Sequence, residues 1–156
     1  ERDLAHALAA ADRRGHGLAL LFIDLDRFKP INDRYGHAMG DRVLREVARR
    51  LQATLRTTDI TARIGGDEFV VLLPALAQAG DSALVAEKLI AAVSAPMHLD
   101  GQELSVGASI GVITYPEGGR DAEELLRGAD AAMYQVKQAG RNGVRVHTRP
   151  AALAEA

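Results

Sequence analysis

Arg63-Ile64-Gly65-Gly66-Asp67-Glu68-Phe69-Val70-Val71-Leu72-Leu73 joins two apolar runs through two glycines and two adjacent carboxylates. Ile60 to Ile64 and Glu68 to Leu73 have strand length, so the stretch reads as a hairpin closed by a tight glycine-rich turn. Such a turn brings backbone close to a ligand and places negative charge where a metal ion can hold it. A second acidic pair, Asp24 and Asp26, ends an earlier run. From Leu18 to Asp24 that run is continuously apolar, which predicts a central strand buried on both faces.

Working outward, Leu4, Ala7, Leu8 and Ala11 recur at helical spacing over residues 3–14, and Gly15 and Gly17 stop that helix. Phe28 to His37 is a loop or a short helix. Gly40-Asp41 opens the next helix, with Val43, Leu44, Val47, Ala48 and Leu51 inward and Arg42, Arg45, Glu46, Arg49 and Arg50 mostly facing solvent. A third helix is predicted over 81–93, with Leu84, Val85, the Lys88 stem, Leu89 and Ala92 on its inner side. Met97–Leu99 and Glu103–Ile113 read as a second hairpin, because Asp100-Gly101 is a favoured two-residue turn. Asp121 followed by Glu124 resembles a capping box for a fourth helix that carries Leu125, Leu126, Ala129, Ala132, Met133 and Val136 and ends at Gly140. Val144 to His147 is a last short strand. The pattern predicts an α+β fold in which helices cover a mixed, mostly antiparallel sheet. One domain is expected over 1–147, with 148–156 as a C-terminal linker or tail.

At 156 residues the chain is large enough to bury roughly two-thirds of its unfolded surface without covalent staples. It has no cysteine, which excludes disulfides and thiolate metal sites. The longest apolar run, Leu18 to Ile23, is too short to span a bilayer, and Glu1-Arg2-Asp3 is no signal-peptide start. The expected setting is the cytoplasm, either alone or as the cytoplasmic domain of a larger sensor, with no membrane contact of its own. Net charge is -2 with the two signs interspersed, so no broad positive face invites nucleic acid. An anionic ligand must be held by a few local cations, a helix end or a metal ion.

If the buried strand and the hairpin are neighbours, Asp24, Asp67 and Glu68 converge. Two carboxylates ~4 Å apart repel by roughly 4 kcal/mol at an effective dielectric near 20. Such a cluster takes up a proton or a cation, and oxygen ligands without thiolates favour Mg²⁺, whose remaining ligands are commonly phosphate oxygens. That is the arrangement of phosphoryl- and nucleotidyl-transfer sites, in one- or two-metal form. Singly, an Asp-x-Asp at a strand end is a loop-capping pair and a Gly-Gly turn is only a turn. Their occurrence together on matching elements is what points to chemistry.

Four ordered blocks then resemble one family, the GGDEF domain of diguanylate cyclases. They are Phe22 to Asp33, Gly36-His37-Ala38-Met39-Gly40-Asp41, the name-giving Gly65-Gly66-Asp67-Glu68-Phe69, and Ala129 to Tyr134 followed by Lys137 and Gly140-Arg141-Asn142. The resemblance implies a palm-like fold of the nucleotide-cyclase kind and a bacterial signalling enzyme that condenses two GTP into cyclic di-GMP, releasing two pyrophosphates. It implies that Asp24, Asp67, Glu68 and the Leu25 carbonyl hold one or two Mg²⁺, for which Mn²⁺ can substitute. Asp67, Glu68 and Lys29 form the catalytic set, and Asp67 is the favoured base for the ribose 3'-hydroxyl. Lys29, Lys137 and Arg141 bind the triphosphate, while Lys137 and Arg141 also suit the negative end of a helix. Asn32 and Asp41 hydrogen-bond guanine, His37 shapes the loop between them, Phe28 lies in the same substrate segment, and Gly65 and Gly66 leave room for ribose and base.

The product has two guanosines and each such site holds one GTP, so two domains must face each other about a two-fold axis. A homodimer is therefore the expected active species. Arg56-Thr57-Thr58-Asp59 resembles the family's R-x-x-D site, through which cyclic di-GMP inhibits its own synthesis, with Arg56 and Asp59 as the contacts. The family's lead-in, D-x-L-T-x-L-x-N-R, is not found, since Glu1 to Ala11 already reads as helix; the chain looks like an excised catalytic domain. Two other readings stand beside this one. The first is a GTP- or cyclic-di-GMP-binding regulatory module attached to a phosphodiesterase or other output domain. The second is a different palm-type transferase such as a purine nucleotide cyclase, against which Asn32 and Asp41 argue.

Overall fold

A computed structural model describes residues 2–148 of the chain. Its elements are α1 (Arg2–Arg14), β1 (Gly17–Asp26), α2 (Phe28–Tyr35), α3 (His37–Thr54), β2 (Ile60–Gly65), β3 (Glu68–Leu76), α4 (Asp81–Ser94), β4 (Met97–Leu99), β5 (Gln102–Leu104), β6 (Gly107–Tyr115), α5 (Ala122–Gln138) and β7 (Gly143–Val146). The main sheet has the order β2-β3-β1-β6-β7. Every pairing in it is antiparallel except β6 with β7, which is parallel. The mixed, mostly antiparallel α+β architecture expected from the sequence is the one found.

β1 is the central strand, as its unbroken apolar run predicts, and its two faces divide the molecule. Ala19, Leu21, Ile23 and Leu25 point to one layer, where they meet Val43, Leu44, Val47 and Leu51 of α3 and Ala86, Leu89 and Val93 of α4. Leu18, Leu20 and Phe22 point to the other, against Leu4, Ala7 and Ala11 of α1 and Leu125, Ala129 and Met133 of α5. Strand side chains alternate with period two. Asp24 and Asp26 therefore continue the even-numbered row and lie on the α5 side of the sheet. Glu68, Val70 and Leu72 make the matching row on β3.

Three expectations are corrected. Glu103–Ile113 is not one strand: β5 pairs only with β4 in a separate two-stranded sheet, and β6 leaves it to pair with β1 and β7. The Asp100-Gly101 turn itself is as predicted, with both residues at positive φ (49° and 76°). α3 begins at His37, three residues before Gly40. On α4 the buried residues are Ser82, Ala86, Leu89 and Val93, whereas Leu84 is 63% exposed and Lys88 lies on the outside. That helix is apolar nearly all round, so periodicity alone cannot choose its inner face.

Arg50 is the exception on the mostly solvent-facing side of α3. Its guanidinium donates to the carbonyls of Ala92 (3.0 Å), Ala95 (2.6 Å) and Pro96 (3.0 Å), closing the end of α4 onto α3. The start of α5 is as read from the sequence, since the Asp121 carboxylate accepts from the Glu124 N–H at 2.8 Å. The tail expected over 148–156 lies, beyond residue 148, outside the described residues.

Candidate active site

The acidic residues come together because β1 and β3 are adjacent and antiparallel. Their register pairs Asp24 with Glu68, on the face they share. The hairpin tip is tied down from two sides: the Leu25 N–H donates to the Asp67 carbonyl at 3.1 Å, and Arg63 Nε donates to the Gly66 carbonyl at 2.8 Å. Asp67 is thus fixed beside the end of β1 by backbone rather than by its own side chain. A Cβ at Gly66 would meet nothing within 4 Å, and one at Gly65 only Glu68 Oε1 at 3.7 Å. Both glycines face open space.

Asp24 is pushed up to about 6, first by burial and then by the neighbouring Asp67 carboxylate; Lys137 pulls the other way and Glu68 adds to the rise. Burial accounts for most of the rise, and the nearby carboxylates add to it. They do not form a closed cage, however. Among the described residues no three His, Asp or Glu side chains are grouped to hold a metal ion. The convergence expected of Asp24, Asp67 and Glu68 thus takes the form of mutual repulsion across a gap. The donors there are oxygens only, the kind a hard divalent cation takes.

The cation facing the cluster in this structure is Lys137. Its Nζ lies 3.4 Å from Asp24 Oδ2 and 3.2 Å from Asp26 Oδ1. α5 packs along the even-numbered face of β1 and ends above the two aspartates, which is why a lysine in its last turn reaches both. Arg141 follows in the turn after α5, exposed and at φ 68°, and Lys29 is exposed in the first turn of α2. Neither Lys29 nor Arg141 has an ion-pair partner among the described residues.

Asn32 and Asp41 sit on α2 and α3, joined by the short turn through Gly36. Asn32 Nδ2 lies 3.1 Å from His37 Nδ1 across the turn. A Cβ on Gly40 would stand 2.3 Å from Asn32 Oδ1 and 3.3 Å from Phe28 Cζ. Gly40 is the reason Asn32 can lie flat against α3. Asp41 borders a recess of about 350 Å³ shared with Leu44, Arg45, Ala48, Arg63 and Phe69. A larger recess of about 850 Å³ between α1 and α5 contains none of the acidic cluster.

Arg56 and Asp59 line a third recess, of about 320 Å³, with Gln52, Leu55, Thr57 and Thr61. Their contact is through backbone: the Arg56 N–H donates to Asp59 Oδ2 at 2.9 Å and the Asp59 N–H to the Arg56 carbonyl at 3.0 Å. The Arg56 guanidinium is not spent on a salt bridge with Asp59.

Sequence reasoning gave no role to Asp26, Ser109 or Asn142. Asp26 is 2% exposed and accepts from Ser109 Oγ and from the Asn142 N–H, both at 2.8 Å. The signal was present in the parity of Asp24 and Asp26 on one strand face. What it lacked was the partner across β6.

The sequence profile of the family described as "Diguanylate cyclase, GGDEF domain" matches residues 1–143. The chain belongs to the GGDEF domain family. It is 48% identical over 140 residues to the bifunctional diguanylate cyclase/cyclic di-GMP phosphodiesterase MucR of Pseudomonas aeruginosa, covering 90% of this chain and 20% of that protein. To the diguanylate cyclase TpbB of the same organism it is 46% identical over 147 residues, covering 94% of this chain and 34% of that one. The crystal structure of the TpbB GGDEF domain superposes with a TM-score of 0.92 at 45% identity, covering 96% of this chain and 93% of that chain. The GGDEF domain of DgcB from Caulobacter crescentus, solved in complex with c-di-GMP, matches with a TM-score of 0.84 at 31% identity, covering 93% and 86%. The chain thus spans about a fifth to a third of the length of these two curated relatives.

Proposed function

We propose that this chain is a diguanylate cyclase, condensing two GTP into cyclic di-GMP with release of two pyrophosphates. The observation that carries the reading is the pairing of Asp24 with Glu68 across β1 and β3, with Asp67 at the adjoining tip and Lys137 above them. Membership of the family and an unbroken Gly65-Gly66-Asp67-Glu68-Phe69 motif support it.

In this reading Asp24, Asp67, Glu68 and the Leu25 carbonyl hold Mg²⁺, with Mn²⁺ able to replace it. The ion, when bound, neutralises the triphosphate and lowers the pKa of the attacking hydroxyl. Asn32 and Asp41 select guanine by hydrogen bonding its edge, and Gly40 keeps Asn32 in place for this. Lys29, Lys137 and Arg141 bind phosphate oxygens and offset charge that develops on them. Asp67 takes the proton from the ribose 3'-hydroxyl. Each 3'-oxygen attacks the α-phosphate of the other nucleotide and expels pyrophosphate, so two chains face each other across a two-fold axis. A GTP substrate places the reaction in the cytoplasm; among the described residues no helix is long and apolar enough to cross a membrane.

A second reading, a regulatory GGDEF module beside a phosphodiesterase, has one observation in its favour: the chain is 43% identical over 136 residues to NbdA of Pseudomonas aeruginosa, which is named as a cyclic di-GMP phosphodiesterase alone, and spans 17% of it. Incubation with Mg²⁺-GTP and chromatography of the products separates the two. The cyclase reading expects cyclic di-GMP, formed more than linearly with enzyme concentration and lost in Asp67→Ala. GTP binding without turnover establishes the module instead.

A further inference from the structure

Asp26 is buried more deeply than any other described carboxylate near the site, yet none of the roles above uses it. Its Oδ1 receives Ser109 Oγ at 2.8 Å and Lys137 Nζ at 3.2 Å, and its Oδ2 receives the Asn142 N–H at 2.8 Å. Both oxygens are engaged from within the protein, and the group is 2% exposed, so it is not available as a ligand for substrate or metal. Asp24 differs. Its carboxylate is 20% exposed and has Lys137 as its one hydrogen-bonding or ion-pair partner among the described residues.

One ammonium therefore bridges two carboxylates, one of them permanently occupied by other donors and the other open. Asn142 extends the same network: its N–H reaches Asp26, its Oδ1 accepts from the Ala108 N–H at 3.3 Å and lies 3.4 Å from Ser94 Oγ. Arg141 and Asn142 both hold positive φ (68° and 49°), a region that Asn enters readily but a long side chain such as Arg seldom does. Asp26 is the charged group on which that turn and Lys137 both rest.

We propose that Asp26 is a positioning residue that acts through Lys137. It holds the ammonium at the mouth of the acidic cluster, where Lys137 neutralises Asp24 until a divalent ion does so. Lys137 is then a tethered counter-ion that the incoming metal must displace from Asp24 but not from Asp26. After displacement the tether keeps the lysine within reach of the phosphates beside the ion. The inference rests on the cyclase reading for Asp24 as a metal ligand.

The test uses Mn²⁺ alone, without nucleotide, titrated by electron paramagnetic resonance against the intact chain. Lys137→Met removes the competitor, and Mn²⁺ binding should tighten about fivefold, the effect of one partly exposed ion pair. Asp26→Asn leaves Lys137 to Asp24 alone, and binding should weaken by a similar factor. The double variant decides the mechanism. If Asp26 acts through Lys137, Asp26→Asn weakens binding much less in the Lys137→Met background than in the wild type. Equal factors in both backgrounds mean that Asp26 acts by its own charge, and they overturn the proposal. So does Lys137→Met that binds Mn²⁺ no better than the wild type, a result that stands even if Asp26→Asn fails to fold. Failure of the cyclase reading shows separately, as a wild-type chain that makes no cyclic di-GMP whatever the Mn²⁺ cycle gives.

Discussion

Without metal or nucleotide, Asp24 is ionised at neutral pH against its surroundings. Its pKa rises from 3.8 to about 6, with burial the largest cause and Asp67 the next, so the folded state binds a proton more tightly than the unfolded chain does. Between about pH 4 and 6 the folded state holds the extra proton, and stability falls as pH rises through that window. Below about pH 4 that stability is fully present, and above about pH 6 it is lost. With EDTA present, Asp24→Asn should raise stability at pH 7.5 by roughly 1–2 kcal/mol, discounted for solvent screening, and leave it nearly unchanged at pH 4. Thermal unfolding at the two pH values checks this; a variant less stable than wild type at pH 7.5 would contradict the origin given for the shift. Divalent ion should erase the difference, because it supplies what the proton supplied.

At the scale of elements, α3 and α4 are locked by one side chain. Arg50 is 15% exposed, and its guanidinium meets the last carbonyls of α4, where the helix carries partial negative charge. Arg49 is its neighbour in sequence but is 66% exposed and, among the described residues, pairs with Glu46 alone. Together the two arginines hold Glu46 down to about 2, chiefly through their hydrogen bonds to it. Arg50→Met keeps the stem and removes the donors, and it should cost about 2 kcal/mol. For a chain of this size that lowers the unfolding midpoint by roughly 4–8 °C. Arg49→Met should leave the midpoint nearly unchanged, since an exposed pair contributes little. Equal effects of the two variants in a thermal melt would show that the helix-end contacts are not what locks α4.

Across the whole molecule, the candidate catalytic and inhibitory sites are separate surfaces linked by one strand. β2 leads from the recess at Arg56 and Asp59 directly into the tip at Gly65 and Gly66. In the cyclase reading the free Arg56 guanidinium grips a product guanine or phosphate in a fork, which the backbone contacts of Asp59 leave possible. Arg56→Ala should therefore keep initial turnover within about twofold and raise the product concentration for half-inhibition at least tenfold, the loss of one charged contact of ~1.4 kcal/mol or more. Progress curves with added cyclic di-GMP measure both. Inhibition that is unchanged in the variant would assign feedback to the active site itself.

The sequence determined by itself what local periodicity and turn chemistry encode. The unbroken run of β1, the Asp121 cap of α5, the Asp100-Gly101 turn and the tip at Gly65-Gly66 are each specified within a few residues, where side-chain spacing and backbone preference act. Tertiary structure decided everything that depends on who lies alongside. Glu103–Ile113 divides because β6 finds two better partners in the main sheet, and α4 turns Leu84 outward because a helix apolar on all sides takes its inner face from its neighbours. Asp26 looked like a companion of Asp24 until α5 and β6 closed over it. Whether a carboxylate meets solvent, a metal or a buried lysine is set by groups more than 80 residues away in the chain. No local pattern carries that information, because desolvation and pairing are properties of the packed neighbourhood.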